Sequence, residues 1–206
     1  MEQTSRKSFL RTAGGSAAVA GLGATLAACG SSKKEIPKAT ALGPVAQFGA
    51  GDVGILNYLL SLEHLEVAFY KAAVASGKLT GKALALVRQL GAEEQRHVTA
   101  LGLQVAKVGG KPVKPKKAAF PLSTERAVLD TASTLENLGA GGYLGQLDSV
   151  QSQEVLALLL SIHTVEGRHA AAIADALGHP VTPNGPFAKP ITAEDAQGQI
   201  RTYLAG

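Results

Sequence analysis

From Asp52 to Leu177 apolar residues recur at steps of three and four, the period of helices that bury one face. The first run carries Ile55, Leu59, Leu62, Leu65, Phe69 and Ala73, with Asp52 as its cap and Gly77 at its end. The second starts after Thr80, carries Leu84, Val87, Leu90, Val98, Leu101 and Val105, and stops at Gly109 and Gly110. So short a separation makes the two antiparallel neighbours. Residues 109–122 hold Pro112, Pro115 and Pro121, so they form an irregular crossover, long enough to span a bundle end to end. A third helix is predicted from Ser123 or Thr124 through Val128, Leu135, Leu138 and Leu144 to near Asp148. A fourth runs from about Ser149 through Val155, Leu158, Leu159, Ile162, Val165 and Ile173 to Leu177, with Gly178 and Pro180 as stops. The tail, residues 179–206, ends in a short helix from Thr192 to Leu204. No stretch reads as a strand. The expected fold is all-α: a four-helix bundle over residues 52–178, made of two helix hairpins joined by a long crossover, plus a short C-terminal helix.

The two halves repeat each other. SLEHLEVAFY (61–70) aligns with TLENLGAGGY (134–143), and AEEQRHVTAL (92–101) with TVEGRHAAAI (164–173), at offsets of 73 and 72 residues. A duplicated hairpin with pseudo-twofold symmetry is the simplest origin. Each half keeps the same polar set: a Glu with a Tyr seven residues on, then a Glu followed three residues later by a His. These are Glu63 with Tyr70, Glu94 with His97, Glu136 with Tyr143, and Glu166 with His169. Three residues apart, Glu and His leave one helix face about a turn from each other and can reach one metal ion; seven residues put each Tyr on the stripe of its Glu.

All of these positions fall within apolar stripes. Four buried carboxylates without compensation would cost several kcal/mol each or would protonate. Two divalent cations cancel four negative charges, and two neutral imidazoles complete the donor set. Carboxylate and imidazole suit iron or manganese, whereas zinc would bring no redox chemistry. The alternative is a bundle whose Glu and His are hydrogen-bonded pairs or exposed polar positions. With eleven Glu and five His in the chain, fewer than one Glu-x-x-His match is expected by chance, and two stand at equivalent places in the repeat.

With these motifs, the stretch from Gly51 to Leu177 resembles the ferritin-like superfamily, specifically its exported bacterial members. In that superfamily one Glu comes from each of two helices and a Glu-x-x-His pair from each of the other two. The resemblance implies Glu63 and Glu136 as terminal ligands, Glu94 and Glu166 as bridging ligands, and His97 and His169 as one nitrogen ligand per metal. It also implies Tyr70 and Tyr143 beside the centre, as the candidates for a catalytic contribution. The implied cofactor is two metal ions, iron first and manganese as the alternative. The implied reaction is oxidation of Fe(II), or reduction of oxygen or peroxide, so a small oxidant or Fe(II) is the expected partner. A di-manganese, catalase-like enzyme and a metal-binding or structural envelope protein without turnover are the alternatives.

Other polar residues read more simply. His163 is either a neighbour of the ligands or a satisfied histidine, and Glu66, replaced by Gly139 in the repeat, either an extra ligand or a lining carboxylate. Glu93 reads as solvated, and Arg96 and Arg168 as surface salt-bridge partners. Gly139, Gly141, Gly142 and Gly145 each cost the third helix about 1 kcal/mol against Ala, a cost that close packing or a channel beside Glu136 would explain. Lys111, Lys114, Lys116 and Lys117 read as a solvated crossover, with attraction to lipid head groups as the alternative.

Composition narrows the setting. A single Cys in 206 residues excludes a disulfide framework, a cysteine zinc site and an iron–sulfur cluster. A formal net charge of +4, partly in the leader, asks for no nucleic-acid partner. Residues 1–28 read as an export signal: Arg6, Lys7 and Arg11, then a short apolar run from Ala13 to Ala28, too short and Gly-rich for a membrane helix. SRKSFLR resembles a twin-arginine signal with Lys7 in place of the second Arg, a departure that leaves the export route open. LAACG (26–30) resembles a lipobox, implying cleavage before Cys29 and lipid on its sulfur; an ordinary secretory signal with a chance Cys is the alternative. Residues 29–51 then form the lipidated Cys and a flexible tether. The expectation is an envelope lipoprotein, anchored through Cys29 to the outer face of the cytoplasmic membrane or held in the periplasm. A dimer is compatible with the sequence, whereas a tethered end conflicts with a closed storage cage.

Overall fold

The computed structural model describes residues 45–204. The expected export signal and the expected lipid-bearing Cys29 lie outside the described residues, as does most of the expected tether. Four long helices carry the fold: α1 (Gly51–Ala75), α2 (Gly81–Lys107), α3 (Glu125–Leu144) and α4 (Gln153–Ala176), followed by a short α5 (Ala193–Ile200). Single 3₁₀ turns stand at Ala46–Phe48 and Leu147–Ser149, and no strand forms among the described residues beyond an isolated Ala118–Leu204 bridge. The helices pack chiefly as two hairpins, α1 with α2 and α3 with α4; α1 also packs on α3, and α2 on α4. This is the expected all-α bundle. No described helix is long and apolar enough to cross a membrane.

Local chemistry fixes most of the boundaries. Thr124, Ser152 and Thr192 each accept a hydrogen bond from the backbone three residues on, which caps α3, α4 and α5. Gly178 closes α4 at φ 71°, a left-handed geometry that costs a residue with a Cβ. Asp52 does not cap its own helix, as the sequence reading had it. Its carboxylate accepts the backbone N–H groups of Gln151 (2.9 Å) and Ser152 (2.8 Å), and so ties the start of α1 to the start of α4. A carboxylate on free N–H groups at a helix start contributes about 1 kcal/mol.

Three further boundaries differ from expectation. α3 stops at Leu144, not near Asp148, because the chain after Gly145 turns to let the tail in: Ile191 N–H bonds Gly141 O at 2.9 Å. α5 ends at Ile200, and the residues after it pair with the crossover, Ala119 N–H donating to Tyr203 O. At the other end, residues 45–48 are packed and not part of a free tether: Val45 is buried, and Phe48 lies against Tyr58 at 5.9 Å between ring centroids.

α1 is buried on nearly all sides, and this explains its broadly apolar sequence. Its hairpin partner α2 and the facing helix α3 cover part of it, and the crossover covers another. Buried Asn57 holds that cover in place, donating to Phe48 O and Lys111 O and accepting from Val113 N–H. His64 bonds Val113 O from two turns further on (3.1 Å). Periodicity could not single out Asn57 or His64, because their partners are backbone groups of an irregular segment. Burying the Leu, Ile and Val side chains along α1 contributes about 1.5–3 kcal/mol each before chain entropy is counted.

The glycines of α3 serve close approach. A Cβ at Gly141 would stand 2.6 Å from Ile191, and one at Gly142 would stand 3.1 Å from Leu62 of α1. Packing, not a channel, accounts for these two positions.

Candidate metal centre

Each long helix brings acidic side chains to one level of the bundle. α1 supplies Glu63 and Glu66, α2 supplies Glu94 and His97, α3 supplies Glu136, and α4 supplies Glu166 and His169. All five carboxylates are at most 1% exposed, and the two rings are nearly buried. The packing that the repeat predicts therefore brings the six expected residues together, with Glu66 beside them.

Their atoms fall into two overlapping groups. Glu63, Glu94, His97 and Glu166 offer atoms within 4.8 Å of one another, and so do Glu94, Glu136, Glu166 and His169. Glu94 and Glu166 belong to both groups. The two oxygens of Glu94 divide between them: Oε2 lies 2.9 Å from His97 Nδ1, and Oε1 lies 2.6 Å from His169 Nδ1.

Protons alone do not satisfy this arrangement. Nδ1 of His97 has Glu94, Glu166 and Glu63 oxygens around it at 2.9, 3.1 and 3.4 Å, and a single N–H can serve one of them well. Nδ1 of His169 is close enough to Glu94 Oε1 for an ion pair, yet the two atoms are not aligned as a hydrogen bond. One or more oxygens on Glu63, Glu94, Glu136 and Glu166 have no hydrogen-bond partner. Electron-pair donors that converge at contact distance without protons between them fit cations. By donor type and placement, the residues fit two metal ions, with Glu94 and Glu166 common to both sets of donors.

The tyrosines cross between halves. Tyr70 of α1 donates to Glu136 of α3, and Tyr143 of α3 donates to Glu63 of α1. Each hydroxyl thereby fixes one oxygen of a carboxylate and leaves the other directed inward. Burial is the main reason both phenols are pushed well above their usual range, with Glu136 beside Tyr70 and Glu63 beside Tyr143 adding to it.

Glu66 is a fifth buried carboxylate, beyond the four that balance two divalent cations. Burial, then the charge of Glu166, pushes its carboxyl well above the usual range, which favours its protonated form. The repeat explains its space. A Cβ at Gly139, its counterpart, would stand 2.6 Å from Glu166 Oε2 and 2.8 Å from Glu66 Oε1. A second carboxylate at position 139 has nowhere to go.

Around this cluster, His163 is satisfied by Ala140 O at 3.1 Å. Glu93 corrects its reading as solvated: its Oε2 accepts from Nε2 of His169 at 2.7 Å, across from α2 to α4. That bond is the first reason its carboxyl lies below the usual range. Sequence patterning missed it because a helix-surface position gives no sign of what the facing helix presents. Arg96 and Arg168 are exposed and have no ion-pair partner among the described residues, contrary to expectation. With Leu86, Val165 and both histidines they line a groove of about 620 Å³ between α2 and α4. The His97 and His169 rings, 5.9 Å apart, form its floor.

A family model described as the ferritin-like domain matches residues 51–179, the whole of the bundle. The chain belongs to the ferritin-like family. A search of curated proteins finds no significant match. Within this ferritin-like chain the matched span contains every buried carboxylate of the cluster, and the N-terminal residues lie outside it.

The buried charges give the metal-free protein a defined pH response. Burial, with the charge of Glu94, carries the Glu63 carboxyl up to about 8 against the pull of His97, so its share of stability is present below pH 4.5 and lost as pH rises toward 8. His97 and His169 would be lowered by burial, but surrounding carboxylates raise them to about 12 and about 11. Their share is complete below pH 6.5 and lost toward those values. Glu94 runs the other way. Burial raises it, but the His169 and His97 rings beside it hold it at about 2, so its share is present above pH 4.5 and lost below. The expected outcome is a melting temperature for chelator-treated protein that peaks close to pH 4.5 and falls toward pH 8. Metal-loaded protein reverses the trend, because metal displaces the protons. Melting curves with and without chelator across this range check both; a chelator-treated protein that gains stability toward pH 8 contradicts the assignment.

Proposed function

We propose that this ferritin-like chain is an extracytoplasmic protein that holds two iron ions and uses them to oxidise Fe(II) or to reduce oxygen or peroxide. The observation that carries the reading is the convergence of three carboxylate oxygens on the single Nδ1 of His97, repeated in part at His169. Glu63, Glu94, His97 and Glu166 would hold one ion, and Glu94, Glu136, Glu166 and His169 the other. A pair of iron ions in such a site supplies electrons, one from each metal, to a small oxidant.

The chain's own residues bind, orient and exclude. Tyr70 and Tyr143 hold the terminal carboxylates and keep a proton near the centre. Leu59, Leu62, Leu135, Leu159 and Ile162, all buried, close the bundle around the cluster and keep bulk water out. The groove above the histidines reaches residues of the cluster, and a small oxidant fits it better than a bulky organic substrate. Manganese in place of iron would turn the same site toward peroxide disproportionation.

The leader motifs support export and attachment to the membrane through lipid on Cys29, with residues 30–44 as the tether. Anchoring of this kind rests on acyl chains, at about 0.8 kcal/mol for each buried methylene.

Anaerobic titration of the detergent-solubilised full chain with Fe(II), and separately with Mn(II), tests the reading. Two metals per chain are expected, with far fewer in a Glu94→Ala, Glu166→Ala double variant, and oxygen or peroxide consumption by the loaded parent only. Equal, negligible binding by parent and variant, with melting unchanged by chelator, would sink the metal reading. Preferential retention of Mn(II) with peroxide disproportionation favours the manganese alternative. Two bound metals without turnover leave a metal-binding lipoprotein. Membrane attachment is tested by Cys29→Ala, which should release the protein from the membrane fraction; a variant that stays attached contradicts lipid anchoring.

A further inference from the structure

The repeat predicts two equivalent metal positions, and the structure breaks that equivalence at one residue. Glu93 precedes Glu94, whereas its counterpart before Glu166 is Val165. From α2, Glu93 Oε2 accepts the Nε2 proton of His169 at 2.7 Å, and its other oxygen accepts from Gln89 Nε2 at 3.1 Å. Val165, with no polar atom on its side chain, offers His97 nothing comparable. Every polar contact of His97 among the described residues is made by Nδ1, on the carboxylate side, while the ring lines the groove.

A carboxylate on the outer nitrogen of a ligating histidine does three things. It keeps the proton on Nε2, so that Nδ1 presents its lone pair; it fixes the ring plane; and it makes the ring a stronger donor. Gln89, one turn before Glu93, limits the carboxylate's own freedom. His97 lacks this support. Its outer nitrogen faces the groove, where solvent must take the place of a fixed acceptor.

We propose that the two metal positions are inequivalent: the one at Glu136 and His169 binds tightly because Glu93 is its positioning residue, and the one at Glu63 and His97 is the weaker, exchangeable one that faces the groove. The inference rests on the dinuclear reading and goes beyond it by assigning an order of filling and a residue that sets it.

Cobalt(II) is the probe, because its visible absorption reports each ion as it binds. Titration of the detergent-solubilised full chain, followed by absorption and calorimetry, is expected to show two steps separated by tenfold or more. Glu93→Ala weakens the tighter step 10- to 100-fold and leaves the other in place, the usual effect of removing such a partner. Glu93→Gln, which keeps an acceptor without the charge, falls between. Val165→Glu tightens the weaker step, a gain that a merely structural role for position 93 would not produce. Glu136→Ala removes the tighter step, and Glu63→Ala the weaker. Two equal steps in the parent overturn the inference while leaving the dinuclear reading intact, as does a tight step that survives Glu93→Ala unchanged. A parent that binds no cobalt overturns both.

Discussion

Five carboxylates and two imidazoles sit at one level of a bundle that excludes water, and the rest of the structure accommodates that concentration of charge. Removing so many acidic groups from water costs several kcal/mol apiece unless cations or protons meet them. Each local feature answers part of the cost. Tyr70 and Tyr143 take one oxygen each from Glu136 and Glu63, burial favours the protonated form of Glu66, and Glu93 holds His169 from outside. The remaining oxygens of Glu63, Glu94, Glu136 and Glu166 point at one another, and two metal ions are the economical way to satisfy them. The hydrophobic stripes give the bundle its stability, but the shared centre explains why these helices and not others must meet at this register.

The internal repeat links the fold to the site. Two copies of one hairpin, joined by a proline-rich crossover, place Glu63 opposite Glu136 and Glu94 opposite Glu166. The tyrosines make the dependence mutual, because each half holds the terminal carboxylate of the other. Divergence then acts where symmetry is not needed. Glu66 has the room that a glycine at 139 leaves, and Glu93 has no partner at 165. Departures from the repeat are thus as informative as the repeat itself, since they distinguish two positions that begin alike.

Much of this was legible in the sequence for a physical reason. Helical period, capping residues and terminal glycines act locally, so α1 to α4 could be placed within a few residues. The repeat supplied the long-range information that periodicity lacks, and with it the six polar residues that meet. What escaped depends on three-dimensional neighbours. Asp52 reads as a cap of its own helix, but its partners are at the start of α4, a hundred residues on. Asn57 and His64 bond an irregular segment that carries no pattern. The early end of α3 at Leu144 answers to Ile191 in the tail, and Glu93 answers to a ring on the facing helix. Each is a case of local propensity overruled by a contact from far along the chain.

Anomalous X-ray diffraction from crystals of the iron-loaded protein tests the central claim most directly. The account predicts two anomalous peaks about 3.5–4 Å apart, both between Glu94 and Glu166, one beside Glu63 and His97 and the other beside Glu136 and His169. No peak within the cluster, or iron bound only at surface carboxylates, would contradict it.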